Sequence, residues 1–182
     1  AAPTLTNEIT TVAASNPDVF ISMTAGNPCL LAIQEVEKAG LLETLDAYFT
    51  PSVCKGIAAY MLPAGPAADG WNIVGGGIKD TTDPNYIDEP FISFLNERLE
   101  ADGLDPSISL LGTGYMYGWA NLEVLRIADA LPGGLSRTNF IIALRGYSGT
   151  HPLLLEGMSF AANGNDDSFF IEGSDFSVFD AD

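Results

Sequence analysis

Val19-Phe-Ile-Ser-Met-Thr24, then Ala25-Gly26-Asn27-Pro28, then Cys29 to Gly40, is the stretch on which the fold of this 182-residue chain turns. Its almost unbroken apolar run has strand length and predicts a strand buried on both faces, as in parallel sheets. Asn27 stands where an N-cap belongs, and Pro28 takes the first helical position, where a missing N–H costs nothing. Leu30, Leu31, Ile33, Val36 and Leu41 then recur at helical spacing, with Gly40 as a C-terminal stop. Ligands of open α/β sheets bind outside the carboxyl ends of the strands, so this turn is where a small molecule is expected to meet the protein.

Outward from that unit the same rhythm continues. Thr6 is expected to cap a short helix through about Ser15, and Asn16-Pro17-Asp18 turns the chain into the first strand. Leu45–Thr50 reads as a second strand, Pro51-Ser52 as a turn, Val53–Met61 as a short helix and Pro63-Ala-Gly-Pro66 as a loop. Trp71–Val74 reads as a third strand running into Gly75-Gly76-Gly77. Strands alternating with helices at this spacing imply βαβ units and a parallel sheet.

After Asp80 the texture changes. Thr81-Thr-Asp-Pro84 is a polar linker. Phe91, Phe94, Leu95 and Leu99 then mark one helix, Leu122, Leu125, Ala128 and Leu131 a second, and Phe140, Ile141 and Leu144 a third capped by Ser136. Met158–Phe160, Phe169–Ile171 and Phe176–Phe179 read as short terminal strands. Only about three parallel strands precede the change, and such a sheet is a poor independent core. Either other polypeptide completes the sheet or further strands escape the pattern.

Composition removes several functions. A formal charge of −17 leaves no basic stripe to neutralise phosphates, which argues against a nucleic-acid partner and against adhesion to anionic membranes. A hydrophobic fraction of 47% argues for a globular chain. No apolar run has transmembrane length, and Ala1-Ala-Pro-Thr-Leu shows neither a basic nor an apolar segment of a signal peptide.

The chemistry-bearing residues are few. Cys29 and Cys54 each follow a strand end, and three readings stand open: a disulfide in an oxidising compartment, two inert thiols, or one thiolate activated by a helix N-terminus. The one histidine, His151 in Gly149-Thr-His-Pro152, is expected at the surface. One His and two Cys are too few for zinc, and Asn163-Gly-Asn-Asp-Asp167 lacks EF-hand spacing, so no metal is expected. Gly112-Thr-Gly114-Tyr-Met-Tyr-Gly118 has the wrong spacing for a dinucleotide fingerprint. No carboxylate pair is marked out as acid and base. The sequence therefore points to neither a catalytic residue, an enzyme nor a cofactor.

The ordered series of motifs resembles a known family. Pro17-Asp-Val-Phe-Ile, a small-residue turn and a helix ending in Lys38-Ala-Gly-Leu41 resemble the second lobe of type I periplasmic solute-binding proteins, the branched-chain amino-acid-binding family of ABC importers. Gly118-Trp119-Ala120, Gly134-Leu-Ser-Arg137 and Ile141-Ile-Ala-Leu144 are similar to that family's return through the first lobe. Gly157-Met-Ser-Phe160, Asn163-Gly164 and Phe176-Ser-Val-Phe179 are similar to its final strands.

The resemblance implies an α/β fold of parallel-sheet lobes with flanking helices, incomplete in this chain. Residues 1–78 would form part of lobe 2, 79–160 the mostly helical return through lobe 1, and 161–182 the terminal strands crossing back to lobe 2. It implies an extracytoplasmic solute-binding protein, present as its C-terminal portion, that holds an amino acid or related small molecule in an inter-lobe cleft for uptake. The implied partners are that ligand, the N-terminal half of the same protein and an ABC-transporter permease. The implied location is periplasmic or extracellular, with any membrane anchor at the N-terminus. Ligand contacts carried over from the family fall on Thr24, Ala25, Gly26 and Asn27, on Thr50 and Ser52, and on Tyr117 or Trp119.

The family often places an acidic residue on the second turn to pair a ligand ammonium, whereas this chain has Ser52. A neutral, amide-bearing or aromatic molecule therefore suits the site better, because a buried unpaired ammonium is costly. A sensory-receptor ligand domain and a cysteine-dependent α/β enzyme are the alternative readings.

Overall fold

The computed structural model describes residues 4–181 and divides into two compact units. One unit runs to Gly75 and resumes at Asp175; the other is Gly76–Ser174.

The first unit is a mixed α/β layer. Its elements begin with α1 (Thr6–Ala13), β1 (Val19–Ile21), α2 (Asn27–Lys38) and β2 (Ala47–Pro51). They continue with the short turn α3 (Leu62–Ala64) and β3 (Asn72–Val74). The sheet order is β1-β2-β3 and then the chain's last strand, with β1, β2 and β3 mutually parallel. That last strand, Phe176–Val178, runs antiparallel beside β3.

Side chains alternate across this sheet. Phe20 and Ile73 point to a buried cluster with Ile33 and Val36 of α2, Ile9 of α1, Met61 and Trp71. Trp71 is fully buried and its indole N–H donates to the Ala67 carbonyl at 2.9 Å, so the only polar atom of that side chain is satisfied.

Several local expectations differ from this unit. β1 ends at Ile21, and Val19 (46%) and Ile21 (65%) are exposed, so the strand is covered on one face, not both. The helix α2 begins at Asn27 with Gly26 as its N-cap, so Asn27 is not a cap. Gly26 holds φ +66° and ψ −143°, a conformation an L side chain rarely adopts, and no side-chain cap bond forms there. Thr6 lies inside α1 and its hydroxyl donates to Glu35 of α2 at 3.0 Å. Pro63–Pro66 forms helical turns in place of a loop.

The second unit is mostly helical. It holds α4 (Pro90–Ala101), α5 (Leu110–Ala130) and α6 (Arg137–Arg145), followed by β4 (Ser148–Gly149), β5 (Ser159–Ala161) and β6 (Ile171–Glu172). The last strand of the first unit, Phe176–Val178, is β7. The three short strands form an antiparallel sheet of order β4-β5-β6. Its core joins Ile92, Leu95 and Leu99 of α4 with Met116, Ala120 and Val124 of α5, and with Leu153 and Phe160.

The string Gly112–Gly118 lies within α5, which starts at Leu110, so its glycines are helical. Gly112 has a packing reason, since a Cβ there would lie 2.7 Å from Thr81 Cγ2. Ser136 caps α6 as its sequence position predicts, accepting from the Asn139 N–H at 3.2 Å.

Candidate ligand-binding site

Because β1, β2 and β3 are parallel, their carboxyl ends share one edge of the sheet, and three loops leave from it. The first carries Ser22 to Gly26, the second Ser52 to Gly56, and the third begins at Gly75. Thr24, Ala25, Gly26, Asn27, Thr50 and Ser52 are all on or beside the first two loops.

Cys29 and Cys54 are joined in a disulfide with their Cα atoms 5.4 Å apart, so the opening of α2 is tied covalently to the loop after β2. Among the described residues no cysteine is free, which leaves neither sulphur as a nucleophile. Thr24 packs on the bridge: its hydroxyl lies 3.6 Å from Cys54 Sγ and its carbonyl oxygen 3.3 Å from the same atom. A disulfide sulphur carries no hydrogen, so Thr24 is the only possible donor of that pair. Its hydroxyl also meets Ser22 Oγ at 2.9 Å.

The remaining residues differ in access. Thr50 is buried at 2% exposure and supports the edge from below. Ala25, Gly26, Asn27 and Ser52 are exposed, and neither Asn27 nor Ser52 makes a side-chain cap bond. These two polar side chains are consequently open to an incoming molecule.

A charged pair absent from the sequence reading closes the same edge. Lys55 Nζ lies 2.7 Å from Asp175 Oδ2, with both side chains nearly buried. Asp175 sits against Gly75, where an added Cβ would collide with its carboxylate, and Gly75 N–H donates to the Asp175 carbonyl at 2.8 Å. The run Gly75-Gly76-Gly77 was the available signal: the first glycine is a close-approach position, not a phosphate loop. A groove of about 290 Å³ lined by Met61, Leu62, Pro66 and Phe179 lies toward the opposite, amino edge of the sheet and contains none of the expected contacts.

In the second unit, Tyr117 and Trp119 are two-fifths exposed on α5. Trp119 meets His151 at 5.8 Å between ring centroids. His151 is not at the surface: it is 3% exposed, with Phe91 edge-on at 4.9 Å and Tyr115 at 6.5 Å. Its Nδ1 accepts from the Leu153 N–H at 3.2 Å, so the neutral ring carries its proton on Nε2, which is buried without a hydrogen-bond partner. Burial holds its pKa below the ordinary histidine value. Among the described residues no group of acidic, His and Cys side chains is arranged to hold a metal ion.

No protein-family model matches the sequence, and no curated protein matches it significantly. Solved structures do. A branched-chain amino acid ABC transporter protein from Thermus thermophilus with bound valine superposes with a TM-score of 0.70 at 12% identity, over 97% of this chain and 46% of that one. The fold is that of the type I periplasmic binding proteins.

An extracellular ligand-binding receptor from Rhodopseudomonas palustris gives a TM-score of 0.67 at 15% identity, over 97% of this chain and 49% of its own. A solute-binding protein of an ABC transporter from Rhodopseudomonas palustris HaA2, in complex with p-hydroxybenzoic acid, gives 0.64 at 14% identity over 97% and 45%. The chain thus spans about half the length of these solved structures. The periplasmic-binding-protein fold accounts for the parallel β1-β2-β3 arrangement and its shared carboxyl edge. Among the described residues, no helix is long and apolar enough to cross a membrane.

Proposed function

We propose that the chain is the C-terminal portion of an extracytoplasmic solute-binding protein that takes a small molecule at the carboxyl edge of β1 and β2 and delivers it to an ABC-transporter permease. In this reading the first unit belongs to lobe 2 and the second to the return through lobe 1. One observation carries it: two strand-end loops, locked to each other by Cys29–Cys54, present unpaired polar groups on Asn27 and Ser52 at the edge where open α/β sheets bind ligands. The disulfide fits an oxidising, extracytoplasmic compartment.

The donors and acceptors near Thr24, Asn27 and Ser52 are neutral. The one acidic group at the edge, Asp175, is held by Lys55. Neutral, amide-bearing or aromatic molecules therefore suit these groups better than a free α-amino acid, whose ammonium would lack a carboxylate partner. Tyr117 or Trp119 is proposed as the aromatic contact. Binding without chemistry is the expected activity.

A thermal-shift screen of the protein against amino acids, amides and aromatic acids tests this. A ligand at one hundred times its Kd should stabilise by about 2.7 kcal/mol, with no turnover of the ligand. Asn27→Ala and Ser52→Ala should each weaken binding about fivefold, the loss of roughly one hydrogen bond. Because neither residue is a cap, the unliganded midpoint should stay unchanged. Equal loss of stability with unaltered affinity would reassign them as structural.

A further inference from the structure

We propose that His151 is a ligand contact, its Nε2–H serving as donor to a carbonyl oxygen of a neutral solute whose apolar body lies against Trp119. His151 is 3% exposed, and its Nδ1 accepts from the Leu153 N–H at 3.2 Å. Its own loop therefore occupies that nitrogen, and the neutral ring carries its proton on Nε2. Nε2 lies on the far side of the ring from that bond and is buried without a partner. The rings packed on the imidazole are Phe91 of α4, edge-on at 4.9 Å, and Tyr115 and Trp119 of α5, at 6.5 and 5.8 Å. Tyr115 and Trp119 share one face of α5, and Phe91 also meets Tyr115 at 6.1 Å, so the three rings form one aromatic enclosure.

The orphaned donor needs a reason. Among the described residues, the other buried side-chain atoms without a partner are the Thr81 and Ser177 hydroxyl oxygens and the Asn96 and Glu172 acceptor oxygens. A hydroxyl can turn toward a partner, and a lone acceptor is a smaller defect than a lone donor. An imidazole pinned through Nδ1 cannot turn, and its unpaired N–H weakens the fold. A bound acceptor recovers that loss. Trp119, two-fifths exposed, is the wall of the enclosure at the surface, and its displacement admits the solute. The three rings carry no charge at neutral pH, so a carbonyl enters at less cost than a carboxylate or an ammonium. Aromatic walls suit a flat apolar body. The solute class is therefore an aromatic or apolar amide, ester or ketone. The inference rests on the solute-binding reading but uses no residue of the carboxyl edge.

Benzamide and acetophenone are the probes, with toluene as the control that lacks an acceptor. His151 is the one histidine of these 182 residues, and the His151→Gln spectrum assigns its imidazole signals in protein labelled with nitrogen-15 histidine. Saturating benzamide should move the Nε2 resonance and slow exchange of its proton about tenfold, with Nδ1 little changed. By calorimetry, His151→Phe should weaken benzamide about tenfold, and His151→Gln, which keeps a donor near the Nε2 position, should recover most of that loss. Toluene should bind the parent and His151→Phe alike. Binding of neither carbonyl probe, binding that leaves Nε2 unmoved, or a water held on Nε2 in free and bound protein alike would overturn the inference. Tighter binding of benzoate than of benzamide would overturn the solute class. The resonance of the parent protein decides even where His151→Phe fails to fold. Benzamide affinity lost in Asn27→Ala and Ser52→Ala but kept in His151→Phe would sink this contact and uphold the carboxyl-edge reading. The converse pattern would uphold His151 and sink that edge, and loss in all three variants would uphold both.

Discussion

The backbone at Gly26 decides what Asn27 does. With φ at +66°, Gly26 takes the capping position itself, and Asn27 becomes the first helical residue with a free amide. Sequence pattern places the helix start correctly to one residue, but one residue is the difference between a cap and a ligand contact. His151 is a second case. A His before Pro in a glycine loop reads as surface, whereas Phe91, Tyr115 and Trp119 enclose it through contacts from α4 and α5, far away in the chain.

Its burial has a pH consequence. Protonation is disfavoured in the folded state, so the folded pKa lies below the unfolded value of about 6.5. Stability from this site is complete above that value and is lost as pH falls from there toward the folded pKa. Urea midpoints measured between pH 7 and 5 should fall more in the parent protein than in His151→Phe. Parallel curves would contradict the buried neutral imidazole.

Among the elements, α2 and the loop after β2 are held by the bridge between Cys29 and Cys54, 25 residues apart. Closing a loop of that length in the unfolded chain should stabilise by about 3 kcal/mol. Cys29→Ser with Cys54→Ser, or reduction by dithiothreitol, should lower the denaturation free energy by that order and also weaken ligand binding. A change under about 0.5 kcal/mol would mean that the bridge does not constrain the unfolded chain. Ser136 makes a cleaner element-scale test, because its role is visible in sequence and structure alike. Ser136→Ala should cost about 1 kcal/mol, a fall of roughly 2–4 °C in Tm, with no effect on affinity.

Strands were legible from runs such as Val19–Thr24 and Trp71–Val74, although their ends were set by pairing and lie inside the apolar runs. The Lys55–Asp175 pair, 120 residues apart in sequence, had no local signature at all.

At the scale of the molecule, net charge and core size compete. Twenty-four acidic residues against seven basic ones give a self-repulsion that any compact form must carry. Salt screens that repulsion over about 10 Å at 0.1 M. Raising sodium chloride from about 0.01 to 0.5 M should therefore raise the thermal midpoint by about 2–4 °C, near 1 kcal/mol for a chain of this size. A falling midpoint would show that attractive pairs such as Lys55–Asp175 outweigh the general repulsion.

The sequence by itself determined the alternation of strands and helices, the parallel start and the cap at Ser136, because each depends on neighbours a few residues apart. Tertiary structure alone decided that Cys29 and Cys54 are bonded, that β7 returns beside β3, that His151 is buried and that one sheet face is bare. Those outcomes depend on which distant segments pack together, and no local periodicity records the partner of a segment.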